Sequence, residues 1–167
     1  MLRQLKMVDA PLMLEWMHDK DVVENLKKDF HNMTIAECEN FIKKNSMRKL
    51  FTDEIHLAIV DSNDEYLGTV SLKEINTKLK NAEFGITVRK KAMGKGIAIE
   101  AMREILSIGL KELNLNCIYW CVSPKNTRAI NFYQKNNFNR IDSNYSDFIK
   151  NYTKEEIESY IWYFISK

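Results

Sequence analysis

The chain is 167 residues long, the length of one ordinary domain, and its 45% hydrophobic and 29% charged side chains exclude a disordered or fibrous protein. Twenty-five basic and 23 acidic residues leave a net charge of +2, too balanced for the basic footprint of a nucleic-acid binder. One domain spanning 1–167 is the simplest account, since no repeat, low-complexity tract or linker interrupts it.

In chain order, "LRQL" (2–5) predicts a short opening strand. Asp9-Ala-Pro11 then starts a helix, with proline in the first turn where a missing N–H costs little. Leu12, Met13, Trp16 and Met17 form its apolar stripe. Thr34 and Glu37, three apart, read as a capping box opening a second helix near residue 35. Three short strands follow, "IHLAIVD" (55–61), "YLGTVSLKEI" (66–75) and "AEFGITV" (82–88), separated by polar turns and expected to pair as antiparallel hairpins. After a glycine turn, Ala98, Ala101, Met102, Ile105, Leu106, Leu110 and Leu113 repeat at three and four, a helix of four to five turns ending near Asn114. "CIYWCV" (117–122) reads as a strand buried on both faces. A strand, a crossover helix and a strand form a βαβ unit, so 82–88 and 117–122 should run parallel. A helix over 124–137, a strand from 138 to 142 and a last strand in "SYIWYFIS" complete an α+β domain with a mostly antiparallel sheet and about four helices. The aromatic last strand could serve a homodimer interface or simply the core.

Cys38, Cys117 and Cys121 contain no CxxC pair, and Cys117 and Cys121 lie too far apart along one strand to bridge. Reduced thiols in a cytoplasmic protein are expected. His18, His31 and His56 lack ligand spacing, so no metal is expected. Arg3, Lys6, Asp9 and Pro11 interrupt the first sixteen residues, which therefore lack a signal-peptide core. No apolar run approaches the ~20 residues of a membrane span.

Two of the five glycines, Gly94 and Gly96, stand one residue apart in "VRKKAMGKGIAIEAM" (88–102), just before the long helix. A P-loop is excluded because no lysine–hydroxyl pair follows the turn. A dinucleotide fingerprint is excluded because Ile99 occupies the third glycine's place and hairpins precede the turn. A pyrophosphate held on the N–H groups from Met93 to Ala98 and a purely structural corner both remain open.

Downstream stands "NTRAINFYQKNNF", which reads Asn126-x-Arg-Ala-Ile-x-Phe-Tyr133-x-Lys-x-x-Phe138. With the glycine turn some thirty residues earlier, it resembles the GNAT (Gcn5-related) N-acetyltransferases, whose pattern is a G-x-G/A turn followed by N-x-x-A-x-x-x-Y-x-K-x-G-F. "EWMHDKDV" and "AEFGI" add a closer likeness to the branch holding the ribosomal-protein N-terminal, spermidine and amino-sugar acetyltransferases. Met93 departs from that pattern, standing where Gln or Arg is usual, and Asn137 replaces a glycine.

The resemblance implies a parallel strand pair splayed to hold acetyl-CoA as co-substrate. It implies pyrophosphate on Met93, Gly94, Lys95, Gly96, Ile97 and Ala98, and the pantetheine arm along Ile86, Thr87 and Val88 with help from Asn126. Lys90, Lys91, Lys95 or Arg128 could meet the outer phosphate. Acetyl transfer to an amine needs a base, an oxyanion donor and an acid for the departing thiolate. The resemblance points to Tyr133 as the acid and to Glu83, acting through water, as the base. It leaves an N–H near Val88 as the oxyanion donor. Packing alone for Tyr133 and a structural hydrogen bond for Glu83 are the plain alternatives. The acceptor is expected to be a protein N-terminus or a small amine or amino sugar. A non-catalytic acetyl-CoA sensor is the alternative to an enzyme, and neither nucleic acid nor membrane is expected as a partner.

Overall fold

The computed structural model of the protein describes residues 1–46, 53–141 and 152–167. Seven strands form one sheet: β1 (Leu2–Gln4), β2 (Ile55–Val60), β3 (Tyr66–Asn76), β4 (Asn81–Val88), β5 (Cys117–Val122), β6 (Asn139–Arg140) and β7 (Ile161–Ser166). Their order is β1-β2-β3-β4-β5-β7-β6. Only β4 and β5 run parallel, and the other neighbours are antiparallel. The mostly antiparallel α+β sheet with one central parallel pair is as the sequence predicts.

The period-two alternation of the strands distributes side chains between two helical layers. On one face, Ile59, Val70, Leu72, Phe84, Ile118 and Trp120 pack beneath α4 (Ile97–Ser107), which contributes Ala101, Met102, Ile105 and Leu106. On the other, Ala58, Val60 and Tyr66 meet α1 (Ala10–Met17) and α3 (Ile35–Ser46) through Met13, Trp16, Met17, Cys38 and Ile42. Met102 and Ile105 are fully buried, each contributing about 2 kcal/mol by its removal from water. Tyr66 Oη accepts a 3.0 Å hydrogen bond from Trp16 Nε1 and lies 2.7 Å from Thr69 Oγ1, so the buried polar tips of this layer are satisfied.

Two further short helices, α2 (Lys20–Val23) and α6 (Lys154–Ser159), raise the number of helices above the four expected. Both are too short to show a period in the sequence. Asp9 stands at the N-cap of α1, but its carboxylate turns back to Lys6 N–H and the Arg3 guanidinium, each at 2.8 Å. Thr34 and Glu37 form the expected reciprocal cap of α3. α4 runs on into a π-helical segment, Ile108–Glu112, where a Cβ on Gly109 would meet Ile118 Cδ1 at 2.6 Å, so only glycine lets the helix approach β5 so closely. α5 is Thr127–Lys135, shorter than the 124–137 expected, because Asn126 caps it and Asn137 ends it. Asn137 takes the left-handed backbone, φ 58°, usual for glycine there. β6 is reduced to two residues, and Asp142 of the strand expected over 138–142 lies outside the described residues. β7 lies between β5 and β6 with Trp162 and Tyr163 buried, so these aromatics serve the core.

Arg89, the residue after β4, ties the layers together. Its side chain is only 5% exposed, donating to both oxygens of Glu15 on α1 (3.0 and 2.7 Å) and to Glu65 and the Tyr66 carbonyl (2.9 Å each). Lys91 and Arg89 together hold the Glu65 carboxyl below the usual carboxylate range. Arg89→Met should cost about 2 kcal/mol in urea unfolding, because the buried Tyr66 carbonyl loses its guanidinium partner. An unchanged unfolding midpoint would show that this knot adds nothing to stability.

Candidate active site

β4 and β5 pair only at Asn81↔Cys117, Ala82↔Ile118 and Glu83↔Tyr119, whereas β4 stays paired with β3 out to Val88. From Phe84 onward, one edge of β4 therefore has no neighbouring strand. A cavity of 690 Å³ occupies the gap, walled by β4, β5, the start of α5 and the chain after α2. Of the residues singled out in the sequence, Glu83, Ile86, Thr87, Val88, Met93, Gly94, Ala98, Asn126 and Tyr133 all line it. Lys95, Gly96 and Ile97 belong to the same turn without forming its wall.

The turn has a shape that anions fit. Gly94 and Gly96 have φ of +75° and +79°, and a Cβ built on either meets nothing within 4 Å. The corner thus needs glycine for its backbone, and the space beside it is open as well. The N–H groups of Gly94, Lys95, Gly96, Ile97, Ala98 and Ile99 have no acceptor among the described residues. Gathered at the positive end of α4, they can hold a phosphate. The Met93 N–H is not among them, because it donates to the Lys90 carbonyl at 3.2 Å. Lys90 and Lys91 are likewise engaged, with Asp21 and Glu65. Arg128 spans the turn, contacting Met93 Sδ at 2.9 Å and the Asp21 carbonyl at 3.1 Å. Lys95, exposed and without a partner among the described residues, is the cation left over.

Asn126 uses its Oδ1 to cap α5, accepting the Ala129 N–H at 3.0 Å. Its Nδ2 has no partner among the described residues. Capping explains why asparagine stands at this helix start, and it aims the remaining amide at the cavity.

Tyr133 sits where α5 closes over β5, its ring 4.8 Å from that of Tyr163 and 5.4 Å from that of Trp120. Burial pushes its phenol above the ordinary tyrosine range, so it stays protonated at neutral pH. Its hydroxyl has no partner among the described residues. A neutral O–H facing a cavity can donate a proton there. Trp120 Nε1 and Tyr163 Oη, buried nearby, also lack partners among the described residues.

Glu83 is 6% exposed and doubly held: Lys73 Nζ donates to Oε1 at 2.9 Å and Tyr152 Oη to Oε2 at 2.6 Å. Burial and this bond to a carboxylate raise the Tyr152 pKa above its ordinary value. Lys73 was legible in principle, because the β3–β4 turn sets it opposite Glu83 in the register. Tyr152 was not, since 69 residues separate it from Glu83. Phe30, Lys27 and Cys121 also reach the cavity from distant segments. Trp16 and Met17 belong to the core.

A family model for the acetyltransferase (GNAT) domain matches residues 1–139. Over 144 residues the chain is 26% identical to the uncharacterized N-acetyltransferase p20 of Bacillus licheniformis, a match covering 83% of this chain and 78% of that protein. It is 36% identical over 80 residues to the spermidine N(1)-acetyltransferase of Escherichia coli strain K12, covering 48% of this chain and 43% of that one. The crystal structure of the spermidine N-acetyltransferase from Vibrio cholerae in complex with CoA and spermine superposes with a TM-score of 0.77 at 22% identity, covering 99% of this chain and 94% of that one. The chain belongs to the GNAT acetyltransferase family. It is accordingly an N-acetyltransferase using acetyl-CoA.

Two thiols lie on β5, and Cys121 lines the cavity. Burial pushes Cys117 up to about 11, and burial with the nearby Glu83 charge pushes Cys121 up to about 12. At pH 8 both should react with iodoacetamide more than tenfold slower than a free cysteine of pKa ~8.5. Mass spectrometry of the labelled sites against time checks this, and labelling at the free-thiol rate would contradict it.

Proposed function

We propose that the chain acetylates a primary amine by direct attack on acetyl-CoA within this cleft, with Glu83 acting through water as base and Tyr133 as acid. The observation that carries the reading is the unpaired edge of β4 from Phe84 to Val88, running from Glu83 toward the free N–H groups of the glycine turn. The pyrophosphate would rest on the N–H groups of Gly94 to Ala98, with Lys95 free to face a phosphate. The amides of the pantetheine arm would pair with Ile86, Thr87 and Val88 as an added strand. The Nδ2 of Asn126 would bind the same arm from the opposite wall.

This places the acetyl group where β4 and β5 part, between Glu83 and Tyr133. An amine arrives as ammonium, pKa ~10, and must lose a proton before it attacks. Glu83, charge-paired with Lys73 and anchored by Tyr152, takes that proton through an intervening water. A backbone N–H near Val88 steadies the oxyanion that develops as the new C–N bond forms. As the C–S bond breaks, Tyr133 supplies the proton to the thiolate, and the second proton leaving the nitrogen restores the phenol. The acceptor is a protein N-terminus or a small amine or amino sugar. The unbridged Cys38, Cys117 and Cys121 suit a reducing, cytoplasmic setting for the reaction.

Tyr133→Phe should lower kcat by roughly 10²- to 10⁴-fold while changing acetyl-CoA affinity far less. An unchanged kcat would remove Tyr133 from the acid's role. Glu83→Gln should lower kcat, because the amide cannot take up a proton. A wild-type kcat in that variant would assign the base elsewhere. Gly96→Val forces a β-branched residue to φ +79°, and should weaken acetyl-CoA binding more than tenfold in calorimetry. Wild-type affinity would move the pyrophosphate away from this turn.

A further inference from the structure

The charges around the acceptor end of the cavity are unequal. Among the described residues lining it, Lys27, Lys28, Lys73 and Arg128 are basic, and Glu83 is the one carboxylate. Arg128 belongs to the phosphate end, where it contacts Met93. The three lysines belong to the other end. Lys73 is bound to Glu83, and Lys27 Nζ lies 4.3 Å from the centroid of the Tyr152 ring, whose hydroxyl holds the opposite oxygen of Glu83.

Among the described residues, each nearby carboxylate already accepts a hydrogen bond or an ion pair. Glu83 is neutralised by Lys73 at 2.9 Å, and Glu156 by Lys27 at 2.7 Å. Asp29 accepts the His31 N–H at 2.8 Å. Glu37, whose field is felt by Lys28, takes the Thr34 N–H and hydroxyl at 2.7 and 2.8 Å. Lys28 alone has no carboxylate within ion-pair distance among the described residues, and its ammonium rests 5.3 Å from the centroid of the Phe30 ring, another wall of the cavity. Among the described residues, a second ammonium on the acceptor would find no unpaired carboxylate in the wall and would meet Lys28. An anion would complete what Lys28, an exposed residue of the cavity wall, lacks, and a charge-assisted lysine–phosphate or lysine–carboxylate contact is among the stronger hydrogen bonds.

We infer that the acceptor is a primary amine that also carries an anionic group, a phosphate or carboxylate, bound by Lys28 with Lys27 beside it, and that a polyamine is the wrong substrate for this cleft. The inference rests on the acetyl-transfer reading above, and it sharpens the acceptor's chemistry. A free small molecule and the acidic N-terminal segment of a protein share that chemistry.

The test is CoA release by the full chain with pairs of amines that differ only in charge: 3-aminopropanol against its phosphate ester, and a Ser-Glu-led against a Ser-Gln-led tetrapeptide, with spermidine alongside. The anionic member of at least one pair should show roughly tenfold higher kcat/KM, and which pair responds distinguishes small molecule from peptide. Lys28→Glu should collapse that ratio, and Lys28→Arg should preserve it. The preference should also shrink as salt rises. Spermidine preferred over every anionic amine, no gain from the anion, or a ratio untouched by Lys28→Glu would each overturn the inference while leaving acetyl transfer intact. Acetyl-CoA bound but never cleaved with any of these amines would overturn the acetyl-transfer reading and the inference with it.

Discussion

The parting of β4 and β5 after three paired residues is the constraint on which the rest of this protein depends. A continuous parallel pair would satisfy its own backbone groups and leave no cleft. Here the β3–β4 ladder runs on to Val88, while β5 follows β7 through its whole length from Cys117 to Val122. The central strands are thus each claimed by an outer neighbour and part company above Glu83. Aromatic side chains fill the base of the opening: Phe84 meets Trp120 edge to face, 5.4 Å between ring centroids, and Trp120 in turn packs on Tyr133 and Tyr163. A close-packed floor beneath an unpaired strand edge is what lets an extended molecule with its own amides enter at little reorganisation.

The far end of the cleft is held by charge. Arg89 follows β4 directly and is fully engaged by Glu15, Glu65 and the Tyr66 carbonyl, so the chain leaves the sheet at a set angle before the glycine turn. Isolated surface ion pairs contribute little, but this guanidinium is buried, bidentate toward Glu15 and hydrogen-bonded to backbone, which gives it geometric authority over the corner. Lys90 and Lys91, adjacent to it, are bound to carboxylates as well. Lys90 and Lys91 thus hold the corner in place, and in the proposed reading phosphate is left to the backbone N–H groups and Lys95. Met93, in place of a polar side chain, packs with the α1–α3 core and meets Arg128. A thioether at this position anchors the turn from below in place of reaching over it.

Charge at the other end points to the chemistry of the acceptor. The one carboxylate in the wall is the proposed base, and it is already balanced by Lys73. Its burial makes an unpaired charge expensive, so the lysine keeps the site stable between turnovers. Among the described residues the same balance leaves no unpaired carboxylate in the wall for a polycation, although relatives of this chain carry names that refer to spermidine. Members of one fold differ in such wall residues, which sit on segments that do not decide the fold.

Local rules were enough for much of this protein. Strand alternation, the Thr34–Glu37 cap, the four-residue stripe of α4 and the glycine corner each depend on neighbours within a few positions, so they were legible in sequence. The motif resemblance singled out Glu83, Tyr133, Asn126 and the turn, nearly all of which the fold brings to one cavity. Other features required the chain to be closed. Short α2 and α6 have no period to read, the early end of α5 follows from how Asn126 and Asn137 are used, and the engagement of Lys90 and Lys91 depends on carboxylates 69 and 26 residues away. Tyr152 on Glu83 and Lys27 on Glu156 are likewise contacts between remote segments. The sequence by itself determined most of the longer elements and, through the motif resemblance, the residues proposed for acetyl transfer, because propensity and motif spacing are local. Only the tertiary structure decided which charges face one another across the cleft, because ion pairing depends on distance in space and not on distance along the chain.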